Sequence, residues 1–144
     1  MLIIVDTREK RPWLFDRRPC TIVRKALAAG DYSLVGHEPD IVIERKSGAD
    51  LIRSVTQGRK QFLRMMDRLT AVKWSAIVVE LEWDALLEYC EQYTKVSPAS
   101  LDGTMTALMQ RYPTTHWVMR PTRETAEQAA FNALRRFWLD RINT

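Results

Sequence analysis

The run Ile41-Val42-Ile43 leads without a break into Glu44-Arg45-Lys46, and no other stretch restricts the fold so tightly. Three β-branched residues in a row predict a buried strand, and that strand carries three charges at its end. Side chains alternate along a strand, which sets Glu44 and Lys46 on one face roughly 6.6 Å apart and Arg45 on the other. Upstream, Asp31 opens a second short apolar segment, Tyr32 to Val35, and the polar turn from Gly36 to Asp40 folds it back as a hairpin on Ile41 to Lys46. The hairpin brings Asp31 towards Glu44. Two carboxylates and an ammonium at one sheet end suit metal-assisted phosphodiester hydrolysis. The acids hold a hard cation such as Mg2+, with Mn2+ as a substitute, and the lysine faces the scissile phosphate or the attacking water. The plainer alternative is a Glu44–Lys46 ion pair at an ordinary strand end.

The order Gly30-Asp31, a hairpin, Glu44-Arg45-Lys46 and then Asp50 four residues on resembles the nuclease signature of the XPF/Hef family of structure-specific endonucleases. Val5-Asp6-Thr7-Arg8-Glu9 looks like that family's opening strand, and Asp50 to Val55 with Gly58-Arg59 like its next helix and turn. Ile77 to Glu80, Tyr112-Pro113 and Thr122 to Ala129 fall where it has a strand, a turn and a final helix. The resemblance implies an α/β fold, a mixed central sheet flanked by helices with a restriction-endonuclease-like, PD-(D/E)xK-type core. It also implies magnesium-dependent cutting of branched or flapped DNA in repair, recombination or replication. Carried onto this chain, it makes Asp6, Asp31 and Glu44 metal ligands, Lys46 the phosphate- and water-facing cation, Arg45 an active-site or positioning residue, and Asp50 a supporting acid. The family's helix-hairpin-helix tail and helicase domain have no counterpart in these residues. A homodimer or a separate DNA-binding partner therefore enters the expectation, beside an alternative in which the chain binds DNA or serves as a nuclease subunit without acting alone.

The remaining residues fit a single domain over 1–144. At 46% hydrophobic residues the 144-residue chain can bury a core without disulfides, and Cys20 and Cys90 match no zinc spacing. The net charge of +4 suits an anionic partner. No apolar run spans a bilayer, no signal peptide pattern opens the chain, and no glycine-rich phosphate loop is present. The expectation is thus a cytoplasmic protein with neither a membrane nor a nucleotide cofactor. His37 and His116 have no partners at catalytic or ligand spacing.

Leu2 to Val5 reads as a central strand delivering Asp6, which is either a third site carboxylate or the cap of the next turn. Arg8 to Arg18 interleaves cations with Trp13 and Phe15, a pattern that serves phosphate contact and base stacking or, for the rings, the core. Arg8 and Arg11 are candidate DNA contacts there. Thr21 to Leu27 is a further strand, and Gly30 serves a turn, a positive φ or a close backbone approach. Ser47 caps a short helix, with Asp50 three residues later in capping-box fashion. Phe62, Met65, Met66 and Leu69 mark a second helix, at whose start Arg59 and Lys60 are placed for phosphates. Arg64 and Arg68 remain unassigned. Ala76 to Val79 is a buried strand ending at Glu80, an ordinary strand-end acid. Helices follow at Trp83 to Tyr93, from Pro98 with Leu101, Met105, Leu108 and Met109 inward, and after the cap Thr122, with a strand at His116 to Met119 between the last two.

Overall fold

The computed structural model describes residues Met1–Thr144. Six strands and five helices follow one another as β1 (Leu2–Val5), β2 (Thr21–Arg24), β3 (Tyr32–Leu34), β4 (Ile41–Lys46), α1 (Gly48–Val55), α2 (Arg59–Leu69), β5 (Trp74–Val79), α3 (Trp83–Tyr93), α4 (Pro98–Arg111), β6 (Thr115–Met119) and α5 (Arg123–Ile142). The strands form one mixed sheet in the order β2-β1-β3-β4-β5-β6. The β1-β3-β4 pairings are antiparallel and the outer ones parallel. The mixed α/β architecture expected from the sequence is therefore present. No helix is long and apolar enough to cross a membrane.

Strand alternation sorts the core into two layers. Val42, Ile77 and Val79 face α1 to α4 and pack with Leu51, Phe62, Met66 and Leu86. Ile41, Ile43 and Val78 face the other way, onto Trp13, Phe15, Tyr32 and the α5 residues Ala126, Ala130, Phe131 and Leu134. The same parity governs the charges. Glu44 and Lys46 follow Val42 to the α1–α4 side, whereas Arg45 follows Ile43 to the α5 side. Burying three strands on both faces explains their continuous apolar runs.

The aromatic residues of the basic loop belong to the core. Trp13 is fully buried and Phe15 nearly so, with Trp13 stacked on Tyr32 at 4.8 Å between ring centroids. The Tyr32 hydroxyl accepts the Trp13 N–H at 2.8 Å. These rings are unavailable for base stacking. Their burial holds Phe15 at φ 53°, a left-handed conformation unusual for a bulky residue. Two further expectations change. The β2 ladder ends at Arg24, short of Leu27, and Met109 is half-exposed, outside the buried stripe of α4.

Candidate active site

Gly30 prepares the site. It sits at φ +74°, and a Cβ there would overlap the Val42 side chain and stand 3.2 Å from the Ile43 carbonyl oxygen. The positive φ and the close approach are both real, so a side chain is excluded twice over. This packing presses Asp31 against the end of β4. Its N–H donates to the Ile43 carbonyl at 2.9 Å, and its own carbonyl accepts the Asp6 N–H at 2.8 Å. The Asp31 carboxylate continues the ladder by accepting the Arg45 N–H at 2.8 Å.

Asp31 and Glu44 thereby share the α1–α4 side of the sheet and interact directly. Burial is the largest cause of pushing Asp31 up to about 6, against the Arg45 N–H, which pulls it down. Glu44 is pushed well above the ordinary carboxylate range, first by burial and then by the charge of Asp31. Lys46 Nζ lies 4.0 Å from Glu44 Oε1 and 5.7 Å from the centre of the Phe62 ring. The three side chains line an open cleft of about 570 Å³ with Asp6, Arg8, Asp50 and Arg68. A neighbouring lobe of about 320 Å³ shares Glu44, Lys46, Met65 and Arg68 and adds Arg53, Ser54 and Gln61.

Asp6 reaches the cleft wall but is already occupied. Oδ1 accepts the Leu27 N–H at 2.8 Å and Arg8 Nη2 at 3.2 Å, and Oδ2 accepts Arg8 Nε at 2.9 Å and the Arg8 N–H at 3.2 Å. Burial raises Asp6, yet the bonds from Arg8 and Leu27 outweigh it and hold the carboxyl below its usual range. No three His, Cys, Asp or Glu side chains stand together in metal-holding geometry. Asp6, Asp31 and Glu44 therefore form a pair and a separately tied acid, not a preassembled triad. The donor set of the pair still fits Mg2+, which takes one or two carboxylates and fills its remaining positions with water and phosphate oxygens.

The Arg45 guanidinium runs to the α5 side, over the Trp13 ring, as strand alternation requires, although Arg45 and Glu9 also border the cleft. Its Nη2 meets Glu80 at 2.7 Å and its Nη1 meets Glu9 at 3.5 Å. Glu80 also accepts Trp13 Nε1 at 3.1 Å and Arg123 Nη1 at 3.5 Å. Glu80 is therefore the hub of a buried network behind β4, more than an ordinary strand-end acid. Asp50 is exposed in the first turn of α1, where its N–H donates to Ser47 Oγ at 3.1 Å and its carboxylate pairs with Arg53 at 3.1 Å.

Of the candidate DNA contacts, Arg8 is tied to Asp6 while seven-tenths of its side chain stays exposed, and Arg11 is exposed with its carbonyl holding Arg123 at 2.7 Å. Arg59 and Lys60 are exposed at the start of α2 and line a shallow surface with Gln57 and Arg64. Arg53 and Arg68 were not assigned from the sequence. Arg68 lies one turn beyond Met65 on the same helix face, a spacing that carries the signal.

An α/β sheet of mixed sense, with two acids and a lysine gathered in a cleft at its strand ends, defines the class. Residues 5–131 match the family model of the ERCC4 domain, and the chain belongs to that family. A 60-residue stretch is 43% identical to the DNA repair endonuclease XPF of Drosophila melanogaster, covering 40% of this chain and 6% of that protein. The fold is similar to that of XPF from Aeropyrum pernix, with a TM-score of 0.70 and 23% identity over 95% of this chain and 61% of that one. The chain spans less than two thirds of either relative.

Proposed function

We propose that this chain is a magnesium-dependent DNA endonuclease that hydrolyses phosphodiester bonds in branched or flapped DNA. The observation that carries the reading is the Asp31–Glu44 pair beside Lys46. Two carboxyls held together in a buried, like-charged site repel when ionised, and a cation relieves that repulsion. A structural ion pair alone would need only one of the acids. Membership of the ERCC4 domain family and the names of the two relatives support the same reading.

Asp31 and Glu44 would hold the metal, which when bound supplies a Lewis acid and an acidified water. Lys46, on the same face, orients the scissile phosphate or the attacking water and offsets charge building on the phosphate oxygens. The Arg45 N–H fixes one Asp31 oxygen and so aims the other into the cleft. Arg53 and Arg68 flank the two lobes and set the register of the phosphate backbone. Behind the strand, the Arg45–Glu80 network holds the end of β4 at its height.

The test is cleavage of labelled duplex, flap, fork and four-way junction DNA with and without Mg2+, beside Glu44→Ala and Lys46→Ala. The expected result is cutting that needs Mg2+, is lost in Glu44→Ala and falls at least a hundredfold in Lys46→Ala, in the range of a lost electrostatic stabiliser. Metal-independent cutting, or full turnover in either variant, overturns it.

A further inference from the structure

A groove of about 890 Å³ runs between α1 and the C-terminal end of α3, outside the catalytic cleft. Arg53 lines both this groove and the Glu44–Lys46 lobe, so the two are neighbours across one side chain. Its wall holds Tyr89 and Tyr93, one helical turn apart with ring centroids 5.1 Å apart. Tyr93 is 71% exposed, although it is a large aromatic residue. Gln57, Gln92 and Lys95 complete the rim, and no acidic side chain lines the groove. Arg53 is partly offset by Asp50 at 3.1 Å, whereas Lys95 makes no ion pair within the chain.

Free carbonyls at the ends of α1 and α3 would disfavour a polyanion. Thr56 and Thr94 answer this locally, since their hydroxyls donate to the Ile52 carbonyl at 2.7 Å and the Cys90 carbonyl at 2.6 Å. The adjoining surface at Arg59, Lys60 and Arg64 shares Thr56 and Gln57 with the groove and also holds no acid. An exposed ring face, amide groups that can read base edges and flanking cations together match an unpaired nucleic-acid strand. A duplex shields its base faces and could use only the cations.

We infer that the Tyr93 groove binds an unpaired DNA strand leading away from the catalytic cleft, with a base stacked on Tyr93 and a phosphate on Lys95. The inference rests on the DNA reading above and adds to it where the single-stranded arm of the substrate runs.

The test titrates fluorescein-labelled oligo-dT, a blunt duplex and the same duplex with an unpaired arm, in EDTA so that no cutting occurs, using the 144-residue chain and checking each variant by circular dichroism. Tyr93→Ala and Lys95→Ala are each expected to weaken binding of oligo-dT and armed DNA roughly tenfold, while Tyr93→Phe, which keeps the ring, stays within about twofold. Unchanged affinity in Tyr93→Ala, or an equal loss on the blunt duplex, overturns the inference. Unchanged affinity combined with loss of a dimer in light scattering also overturns it, by assigning the groove to a second copy. Wild-type cleavage in the Mg2+ assay, together with strand binding in EDTA that does not depend on Tyr93, removes the groove and leaves the nuclease reading standing. Tyr93-dependent strand binding without cleavage of any DNA does the reverse.

Discussion

At the scale of single residues, the site trades stability for charge. Asp31 is pushed up to about 6 from an ordinary 3.8, chiefly by burial. The folded chain thus holds its proton to higher pH than the unfolded one, so stability falls as pH rises from about 4 to about 6 and stays lowered above that. Asp31→Asn removes the charge and keeps an oxygen for the Arg45 N–H. It is expected to be more stable than the wild type by about 1–3 kcal/mol at pH 7.5, with the gap closing towards pH 4. Mg2+ is expected to raise the Tm of the wild type and leave the variant unmoved. Thermal melts at the two pH values decide the matter, and a less stable variant at pH 7.5 would sink the account. Arg45 carries the opposite expectation. Arg45→Met leaves Glu9 with only the Arg11 N–H at 3.3 Å and Glu80 with Arg123 at 3.5 Å as its ion partner. Urea denaturation is expected to show a loss of about 3 kcal/mol, and a loss below about 1 kcal/mol would mean that the network is surface decoration. Alternation along β4 made the opposite facing of Glu44 and Arg45 legible in the sequence. The hold of Arg8 on Asp6 was not, because it depends on a turn and on Leu27, twenty-one residues away.

At the scale of elements, what could be read followed the strength of the local pattern. β4 and α3 lie where the sequence places them, and Ser47 and Thr122 cap α1 and α5 through their side chains. The ring burial in the basic loop was less legible, since alternating cations and aromatics fit a DNA arm and a core-anchored loop equally until Tyr32 and α5 supply the packing. Gly30 shows how one backbone position controls an element pair. Gly30→Ala meets both a left-handed φ and an overlap with Val42, for an expected loss of about 2–4 kcal/mol. Gly36, at φ +84°, would place a Cβ in open space, so Gly36→Ala is expected to lose only the backbone part, about 1–2 kcal/mol. Equal losses in chemical denaturation would remove the close approach from the explanation of how Asp31 is positioned.

At the scale of the whole molecule, position matters more than the net charge of +4. The Asp31–Glu44 pair lies in the cleft, which Glu9 also borders, and Arg45 links Glu9 to Glu80 at the end of β4. The α1–α2 turn and its surroundings carry Arg53, Arg59, Lys60, Arg64 and Arg68, with Glu44 as the one acid lining the Glu44–Lys46 lobe and none lining the surface at Arg59. Composition announced a basic chain, and the fold sets Arg8, Lys46, Arg53 and Arg68 in the cleft and its lobe, with Arg59, Lys60 and Arg64 on the adjoining surface. If these residues meet phosphates, each contact releases condensed counterions, and the slope of log affinity against log salt records the number of contacts at about 0.9 per contact. Replacing Arg59 and Lys60 together by alanine is therefore expected to flatten the slope for duplex DNA by about 2 and to weaken binding to a similar degree whatever the base sequence. Fluorescence anisotropy between roughly 50 and 200 mM salt covers the range over which such slopes are read. An unchanged slope with unchanged affinity would move the duplex to the Arg8 and Arg11 side of the cleft. A flattened slope would fix α2 as the rail along which the backbone approaches Lys46.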